Sequence, residues 1–203
     1  MTTLPTVRTG VANLAAVAAA FARLSVQLVP ATAADVAAAT PLLLPGVGQF
    51  GAAMAELSAN GLVAPLQQRL AAGHPTLGIC LGMQLCCRGS DEAPGVPGLG
   101  VIDAMVTRFP ADVRCPQMGW NEVDLQSDAG PGLVWAGLAY YANSYRLAAA
   151  PAGYRSTTSD HGGRFVATLE RGRVLLCQFH PELSGNYGHA LLQRWLVAAG
   201  VAC

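Results

Sequence analysis

The fold is decided by residues 75–85, PTLGICLGMQL, where a short apolar run stops at Cys80. The run predicts a buried strand, and the residues that follow the cysteine predict a helix. Gly78 and Gly82 flank Cys80 and provide the small neighbours that a sharp strand-to-helix turn needs. Such a turn pushes its central side chain out of the sheet, and the helix N-terminus favours a thiolate there. The stretch therefore has the pattern of a nucleophile elbow, although a buried structural cysteine is the commoner fate of this residue type.

Strand-like and helix-like segments alternate through the first half of the chain. PLLLP (41–45) is continuously apolar and predicts a buried strand, whereas the alanine-rich segment 11–24 predicts a helix. Residues 52–72 also predict a helix, which Gly61 and Pro65 should break. Alternation of this kind predicts a parallel sheet that is covered by helices on both faces.

Shorter strand candidates cluster after about residue 99, with few helices between them. The segment 164–179, RFVATLERGRVLLCQF, predicts a hairpin because a polar turn with Gly172 separates two apolar arms. A final amphipathic helix is predicted over residues 186–199. We therefore predict an α/β fold with a mostly parallel central sheet, flanking helices and additional antiparallel hairpins in the second half. We expect it to form a single domain over residues 1–203.

The composition argues against several functions. All twelve basic residues are Arg, they balance twelve acidic residues, and Lys is absent. A net charge of zero indicates neither a nucleic-acid groove nor a membrane-surface patch. Schiff-base chemistry and a phosphate-loop lysine both require Lys. Only 12% of the residues are charged, against about 25% in typical domains, so either the surface is unusually neutral or a partner covers part of it.

The sequence also predicts the compartment. The N-terminal residues lack the pattern of a signal peptide, and the apolar stretches are shorter than the ~20 residues that a membrane helix needs. None of the six cysteines belongs to a Cys-x-x-Cys pair, and no His/Cys cluster has zinc-ligand spacing. We expect a soluble protein of the reducing cytoplasm, with no metal and no cofactor.

The candidate base for Cys80 is His180, one of four histidines. It directly follows an apolar strand candidate, in the segment QFHPE, and Pro181 stiffens the turn behind it. Glu182 can fold back to the imidazole and fix its tautomer, as the base of an activated nucleophile requires. A polar turn after a strand is the alternative interpretation, and the joint occurrence with Cys80 favours the catalytic one.

A glycine-rich turn in LLLPGVGQFG (42–51) follows another buried strand. Glycine lets the backbone approach a ligand closely, and backbone N–H groups there could bind an oxyanion. An ordinary glycine turn is the alternative interpretation, and this stretch alone does not decide between them.

Together these stretches resemble the class I (triad) glutamine amidotransferases, from the first strand to the last helix. The glutaminase subunits of imidazole glycerol phosphate synthases, from histidine biosynthesis, are the most similar members. GICLGMQ and QFHPE are specific for the superfamily, whereas LPGVG and MGWN indicate the subfamily. The matching stretches are LPGVGQFGAAM (44–54), GICLGMQL (78–85), SDE (90–92), MGWN (118–121), SY (144–145) and QFHPELSG (178–185), with a weaker match at TGVANL (9–14).

The resemblance implies a catalytic triad. Cys80 would attack the side-chain amide of glutamine, His180 would relay the proton, and Glu182 would orient the imidazole. Water would then hydrolyse the glutamyl thioester. Ammonia would pass, away from bulk water, to a cyclase subunit with a (β/α)₈-barrel fold, with which the chain would form a heterodimer.

The resemblance also implies which residues bind the substrate, L-glutamine. The oxyanion hole would be formed by backbone N–H groups, and the remaining residues would hold glutamine by polar groups. The implied oxyanion-hole residues are Gly46, Gly48 and Leu81, and the implied glutamine-binding residues are Gln84, Glu92, Ser144 and Tyr145.

Four positions depart from the family pattern, none of them in the triad. Arg8 stands where the family has Asp, and Leu183 stands where Lys or Arg is common. Gln117 and Asn143 each stand where the family has His, and we expect them to be neighbours that form a hydrogen bond. Two alternatives therefore stay open: the glutaminase of another amidotransferase, such as that of pyridoxal phosphate synthesis, or a catalytically silent regulatory subunit.

Overall fold

The structure is a computed structural model that describes residues 2–10, 14–125 and 132–201. Its helices alternate with the strands of the first half, and the last one closes the chain. The helices are α1 (Ala15–Ala22), α2 (Ala33–Ala37), α3 (Phe50–Ala59), α4 (Val63–Ala71), α5 (Leu81–Leu85) and α6 (Gly185–Ala198), with a 3₁₀ turn at Pro181–Leu183. The strands are β1 (Thr2–Thr6), β2 (Val26–Pro30), β3 (Leu42–Leu44), β4 (Thr76–Ile79), β5 (Cys87–Ser90), β6 (Ile102–Arg108), β7 (Gln117–Leu125), β8 (Gly137–Asn143), β9 (Tyr145–Leu147), β10 (Arg155–Asp160), β11 (Arg164–Arg171) and β12 (Val174–Cys177).

Nine of these strands form one sheet, in the order β2-β1-β3-β4-β12-β11-β10-β7-β8. The strands from β2 to β12 in this order are parallel, and those from β11 to β8 continue the sheet antiparallel. A second sheet has the order β5-β6-β9. The predicted α/β fold, with parallel strands between helices and hairpins in the second half, is confirmed.

The large sheet is covered on both faces. One apolar cluster packs α1 and α6 against it and includes the fully buried Phe21 and Trp195. The other packs α3 and α4 against the opposite face and includes Phe50 and Leu66. Because both faces are buried, the central strands β3, β4 and β12 are apolar apart from Thr76 at the start of β4, which is why the sequence pattern identified them.

Several predicted elements need correction. Pro65 does not break a helix, because it lies in the first turn of α4, where the missing N–H has no intrahelical partner to lose. Gly61 does separate α3 from α4 and adopts a φ of +66°. The predicted helix over 11–24 is shorter, and residues 11–13, which also belong to TGVANL, lie outside the described residues. In residues 139–147, AYYANSYRL, one of the strand candidates after residue 99, Ser144 separates two strands that join different sheets.

The parallel strands β3, β4 and β12 end at the same edge of the sheet. Leu44 is paired with Gly78, and Cys177 is paired with Ile79. The segments that directly follow these strands are the glycine turn, the cysteine elbow and the QFHPE segment. In open α/β sheets this carboxyl edge is where ligands bind, so the topology brings the three predicted motifs together. No helix of the described residues has the length and apolar character to cross a membrane.

Candidate active site

Cys80 lies at a strained turn between β4 and α5. Its φ of +48° and ψ of −105° put a non-glycine residue in the left-handed region, at a cost of roughly 1–3 kcal/mol. The backbone N–H of Cys80 donates to the carbonyl of Cys177 at 2.6 Å, which anchors the turn to β12. The carbonyl of Cys80 accepts the N–H of Gln84 at 3.2 Å and so begins the helix. This is the elbow that the sequence predicted.

The glycines around the elbow are required by close packing. A Cβ atom at Gly82 would lie 2.1 Å from the carbonyl oxygen of Leu44, and one at Gly78 would lie 2.6 Å from a methyl group of Leu176. A Cβ atom at Gly46 would lie 2.2 Å from the backbone nitrogen of Leu81. The strand-to-helix turn is therefore pressed against β3 on one side and β12 on the other.

His180 extends from β12 toward Cys80. Its N–H donates to the carbonyl of Tyr140 at 2.8 Å, which holds the backbone beside β8. Its Nδ1–H donates to Oε1 of Glu182 at 2.8 Å, and both side chains are buried. Because the carboxylate occupies Nδ1, the other ring nitrogen is left to exchange a proton with the sulfur of Cys80.

The charge state of His180 follows from its neighbours. Burial alone lowers the pKa of this imidazole. The hydrogen bond and charge of Cys80, and then those of Glu182, outweigh burial and raise the pKa of His180 above its ordinary value. The imidazolium is therefore favoured between the two groups, as a nucleophile–base pair requires.

A cavity of about 310 Å³ opens over Cys80. Its lining includes nine of the ten residues that the resemblance implied, and the tenth, Glu182, lies behind His180. The lining residues are Gly46, Val47, Gly48, Cys80, Leu81, Gln84, Glu92, Ala142, Asn143, Ser144, Tyr145 and His180. The structure thus brings the predicted residues together, and their individual roles stay predictions.

The polar wall of this cavity is held by hydrogen bonds. The carbonyl oxygen of Tyr145 accepts from Nε2 of Gln84 at 3.1 Å and from Nδ2 of Asn143 at 3.0 Å. The carboxylate of Glu92 accepts the backbone N–H of Phe50 at 3.0 Å, at the start of α3. The carbonyl of Ser144 accepts the backbone N–H of Phe109 at 3.2 Å.

Two polar residues of the site were missed by the sequence analysis. Asn143 appeared only as a departure from the family pattern. Gln178 is fully buried and its side-chain amide nitrogen lies 3.6 Å from the sulfur of Cys80. A signal for it was present, because residues two apart on an extended segment share a face, and Gln178 precedes His180 by two.

The four positions that depart from the family pattern lie in different parts of the structure. Gln117 and Asn143 are cross-strand neighbours, as expected, and both are buried. The expected hydrogen bond between them is wrong, because Oε1 of Gln117 and Oδ1 of Asn143 both lack a hydrogen-bond partner. The Asn143 amide donates to Tyr145 instead. Arg8 is exposed, and Leu183 is 42% exposed.

Sequence comparison identifies the family. Residues 10–199 match the model of the class-I glutamine amidotransferases. The chain is 40% identical over 192 residues to the imidazole glycerol phosphate synthase subunit HisH of Symbiobacterium thermophilum, an alignment that covers 92% of this chain and 89% of the relative. The HisH subunit of Deinococcus radiodurans is 41% identical over 191 residues, with the same coverage. This chain belongs to the class-I glutamine amidotransferase family, among the HisH subunits.

Two further similar proteins are a longer relative and a solved structure. An imidazole glycerol phosphate synthase hisHF of Emericella nidulans is 36% identical over 171 residues, which make up 78% of this chain and 31% of that relative. A crystal structure of a glutamine amidotransferase superposes with a TM-score of 0.75 at 20% identity and covers 98% of this chain and 99% of that one. As a class-I amidotransferase, the chain is a glutamine-hydrolysing enzyme subunit.

We expect the substitution Glu182→Gln to lower the pKa of His180, because the carboxylate's hydrogen bond and charge both raise it. The midpoint of an NMR titration of the His180 ring nitrogens in the isolated chain should therefore move to lower pH. The pairing of His180 with Glu182 should contribute its full stabilisation of the fold at any pH below the unfolded-state pKa of histidine, about 6.5. This stabilisation should be lost as the pH rises through the higher folded-state pKa. The control is Glu122→Gln, at an exposed carboxylate on β7. An unchanged titration in Glu182→Gln would show that this carboxylate does not set the charge of the imidazole.

Proposed function

We propose that this chain is the glutaminase subunit of an imidazole glycerol phosphate synthase, with Cys80, His180 and Glu182 as its triad. The observation that carries the proposal is the strained elbow of Cys80 facing an imidazole that is bonded to a buried carboxylate. Relatives at about 40% identity with HisH names favour this synthase over other amidotransferases. We further propose that residues 1–203 act as one domain.

The reaction proceeds in two halves. The thiolate of Cys80 attacks the carboxamide carbon of glutamine, and the electron pair of the carbonyl moves onto its oxygen. When the tetrahedral intermediate collapses, the C–N bond breaks and the imidazolium of His180 gives its proton to the departing ammonia. Water then attacks the glutamyl thioester while His180 takes its proton, and glutamate leaves as the thiol is restored.

The oxyanion of each tetrahedral intermediate needs hydrogen-bond donors. We assign this role to the backbone N–H of Leu81, at the start of α5, and to the turn that contains Gly46 and Gly48. Close packing of this turn on the elbow supports the assignment, since a Cβ atom at Gly46 would collide with Leu81. The helix start contributes positive potential at the same place.

The substrate is proposed to bind along the polar wall of the cavity. The residues proposed to hold it line the cavity and all bear polar groups suited to an amino acid: Gln84, Glu92, Ser144 and Tyr145. The carboxylate of Glu92 offers a counter-charge for the α-amino group of glutamine. Backbone groups of Ser144 and Tyr145 offer neutral hydrogen-bond partners.

An exposed apolar surface supports the proposal of a cyclase partner. Met118 and Trp120 lie on one face of β7, and the cross-strand register puts Leu138 of β8 on the same face. These side chains are 67%, 57% and 53% exposed. The tip of the Trp120 ring lies beside Gly185, just after the turn that holds Glu182. A barrel docked on this apolar surface would exclude water where ammonia leaves the site, and ammonia that stays unprotonated remains nucleophilic.

We propose that the enzyme acts in the cytoplasm as a heterodimer. The five cysteines of the described residues are free thiols, as is usual in a reducing compartment such as the cytoplasm. Within these residues no group of three or more His, Cys, Asp and Glu is placed to hold a metal ion. The proposed chemistry uses only side chains and backbone of this chain.

We expect Cys80→Ala to abolish glutamine hydrolysis in the complex with the cyclase, because no other group can form the thioester. Ammonia release and glutamine-dependent cyclisation should both fall by at least about a thousandfold. Cyclisation driven by added ammonium salt should persist, since it bypasses the glutaminase. The matched control is Cys115→Ser, which replaces a half-buried thiol outside the triad. If wild-type chain and cyclase together released no ammonia, the silent regulatory subunit would be the better description.

We expect Met118→Glu to weaken binding of the cyclase by about tenfold or more, because it buries a charge in the apolar surface. The control is Val197→Glu on α6, whose side chain is 64% exposed but lies on a different element. Calorimetric titration of each variant with the cyclase measures the difference. Equal affinities of the two variants for the cyclase would show that the cyclase does not bind at the surface that contains Met118.

A further inference from the structure

Besides His180, the sulfur of Cys80 has another side chain as a neighbour, and this residue is not part of the proposed triad. Nε2 of Gln178 lies 3.6 Å from this sulfur, in hydrogen-bonding geometry for an N–H donor. Gln178 and His180 follow the end of β12, two residues apart, and both side chains interact with the sulfur. The sulfur thus has an amide and an imidazole as neighbours.

The orientation of the Gln178 amide is fixed by its other contacts. The carbonyl oxygen of Tyr145 can only accept, so the group of Gln84 that faces it at 3.1 Å is the amide nitrogen. The same nitrogen lies 3.0 Å from Gln178, whose facing atom must therefore be its oxygen. The nitrogen of Gln178 is left to point at Cys80, and the reverse orientation would put two donors against each other and an oxygen against a thiolate.

The burial of Gln178 increases the effect that its hydrogen bond has on a negative charge at the sulfur. Gln178 is fully buried, and Gln84 is 6% exposed, so bulk water does not compete for the hydrogen bonds of the Gln178 amide. The backbone N–H of Gln178 donates to the carbonyl of Ala167 at 2.8 Å, which fixes the segment against β11. A donor held in a protected place stabilises a neighbouring negative charge more than it would in water.

We infer that Gln178 is a positioning residue that donates a hydrogen bond to the thiolate of Cys80. The inference rests on the proposed function, in which this sulfur is the nucleophile. The contacts continue from the sulfur through Gln178 and Gln84 to the backbone of Tyr145, in the wall proposed to bind glutamine.

The test is the pH dependence of alkylation of Cys80 by iodoacetamide, in a background in which Cys115 and Cys203 are replaced by Ser. The remaining thiols at Cys86, Cys87 and Cys177 are fully buried, burial raises their pKa values, and the label is assigned by tandem mass spectrometry. Gln178→Met removes the donor and keeps the approximate volume. We expect the pH midpoint of alkylation to rise by about one to two units, in line with a lost charge-assisted hydrogen bond.

Two further variants and a control complete the experiment. Gln178→Leu removes the same donor with a shorter side chain, in case methionine disturbs folding. Gln84→Met frees the Gln178 amide to rotate, and we expect a smaller rise of the midpoint together with a higher KM, because Gln84 lines the cavity. Gln68→Met, at an exposed position of α4, should change nothing.

Steady-state kinetics with the cyclase give a second readout. Gln178 does not line the cavity, so its apolar variants should lower kcat at neutral pH and leave KM nearly unchanged. A midpoint that stays at the wild-type pH in every folded variant would overturn the inference and leave Gln178 as a core residue. Alkylation needs no glutamine, so this result is read separately from a failure of the wild-type chain to hydrolyse glutamine.

Discussion

The parallel pairing of β4 with β12 is the constraint on which the rest of the site depends. It sets Cys177 opposite Ile79, and the backbone N–H of Cys80 continues the ladder to Cys177 at 2.6 Å. Cys80 leaves the sheet at this point, and His180 follows three residues after Cys177, beyond the end of the neighbouring strand. Because side chains alternate along a strand, a slip of one residue would turn His180 and Gln178 away from the sulfur.

Packing against neighbouring segments holds the elbow in place, because the left-handed backbone conformation of Cys80 is unfavourable by itself. Gly82 lies against the carbonyl of Leu44, and Gly46 lies against Leu81, so β3 and its turn clamp the start of α5. The cost of the strained residue, roughly 1–3 kcal/mol, is met by the apolar core on both faces of the sheet. A rigid turn of this kind keeps the sulfur, the helix start and the glycine turn in one arrangement.

The sequence was most informative where one physical requirement dominates. Continuous apolar runs identified β3, β4 and β12 because these strands are buried on both faces, and flanking glycines identified the elbow because only they fit. The strand β10, RSTTSD, was not predicted because it is polar and is held by its neighbours in the sheet. Gln178 was missed because its spacing from His180 was the only local signal, and its contact with Cys80 joins segments that are distant in sequence.

The account makes the sulfur of Cys80 the atom that carries the glutamyl group. The most direct measurement is mass spectrometry of the complex with the cyclase, quenched with acid during turnover of glutamine. The account predicts the added mass of one glutamyl group, confined to Cys80 and absent when glutamine is omitted. Ammonia release without such an adduct, or with the adduct on another cysteine, would contradict it.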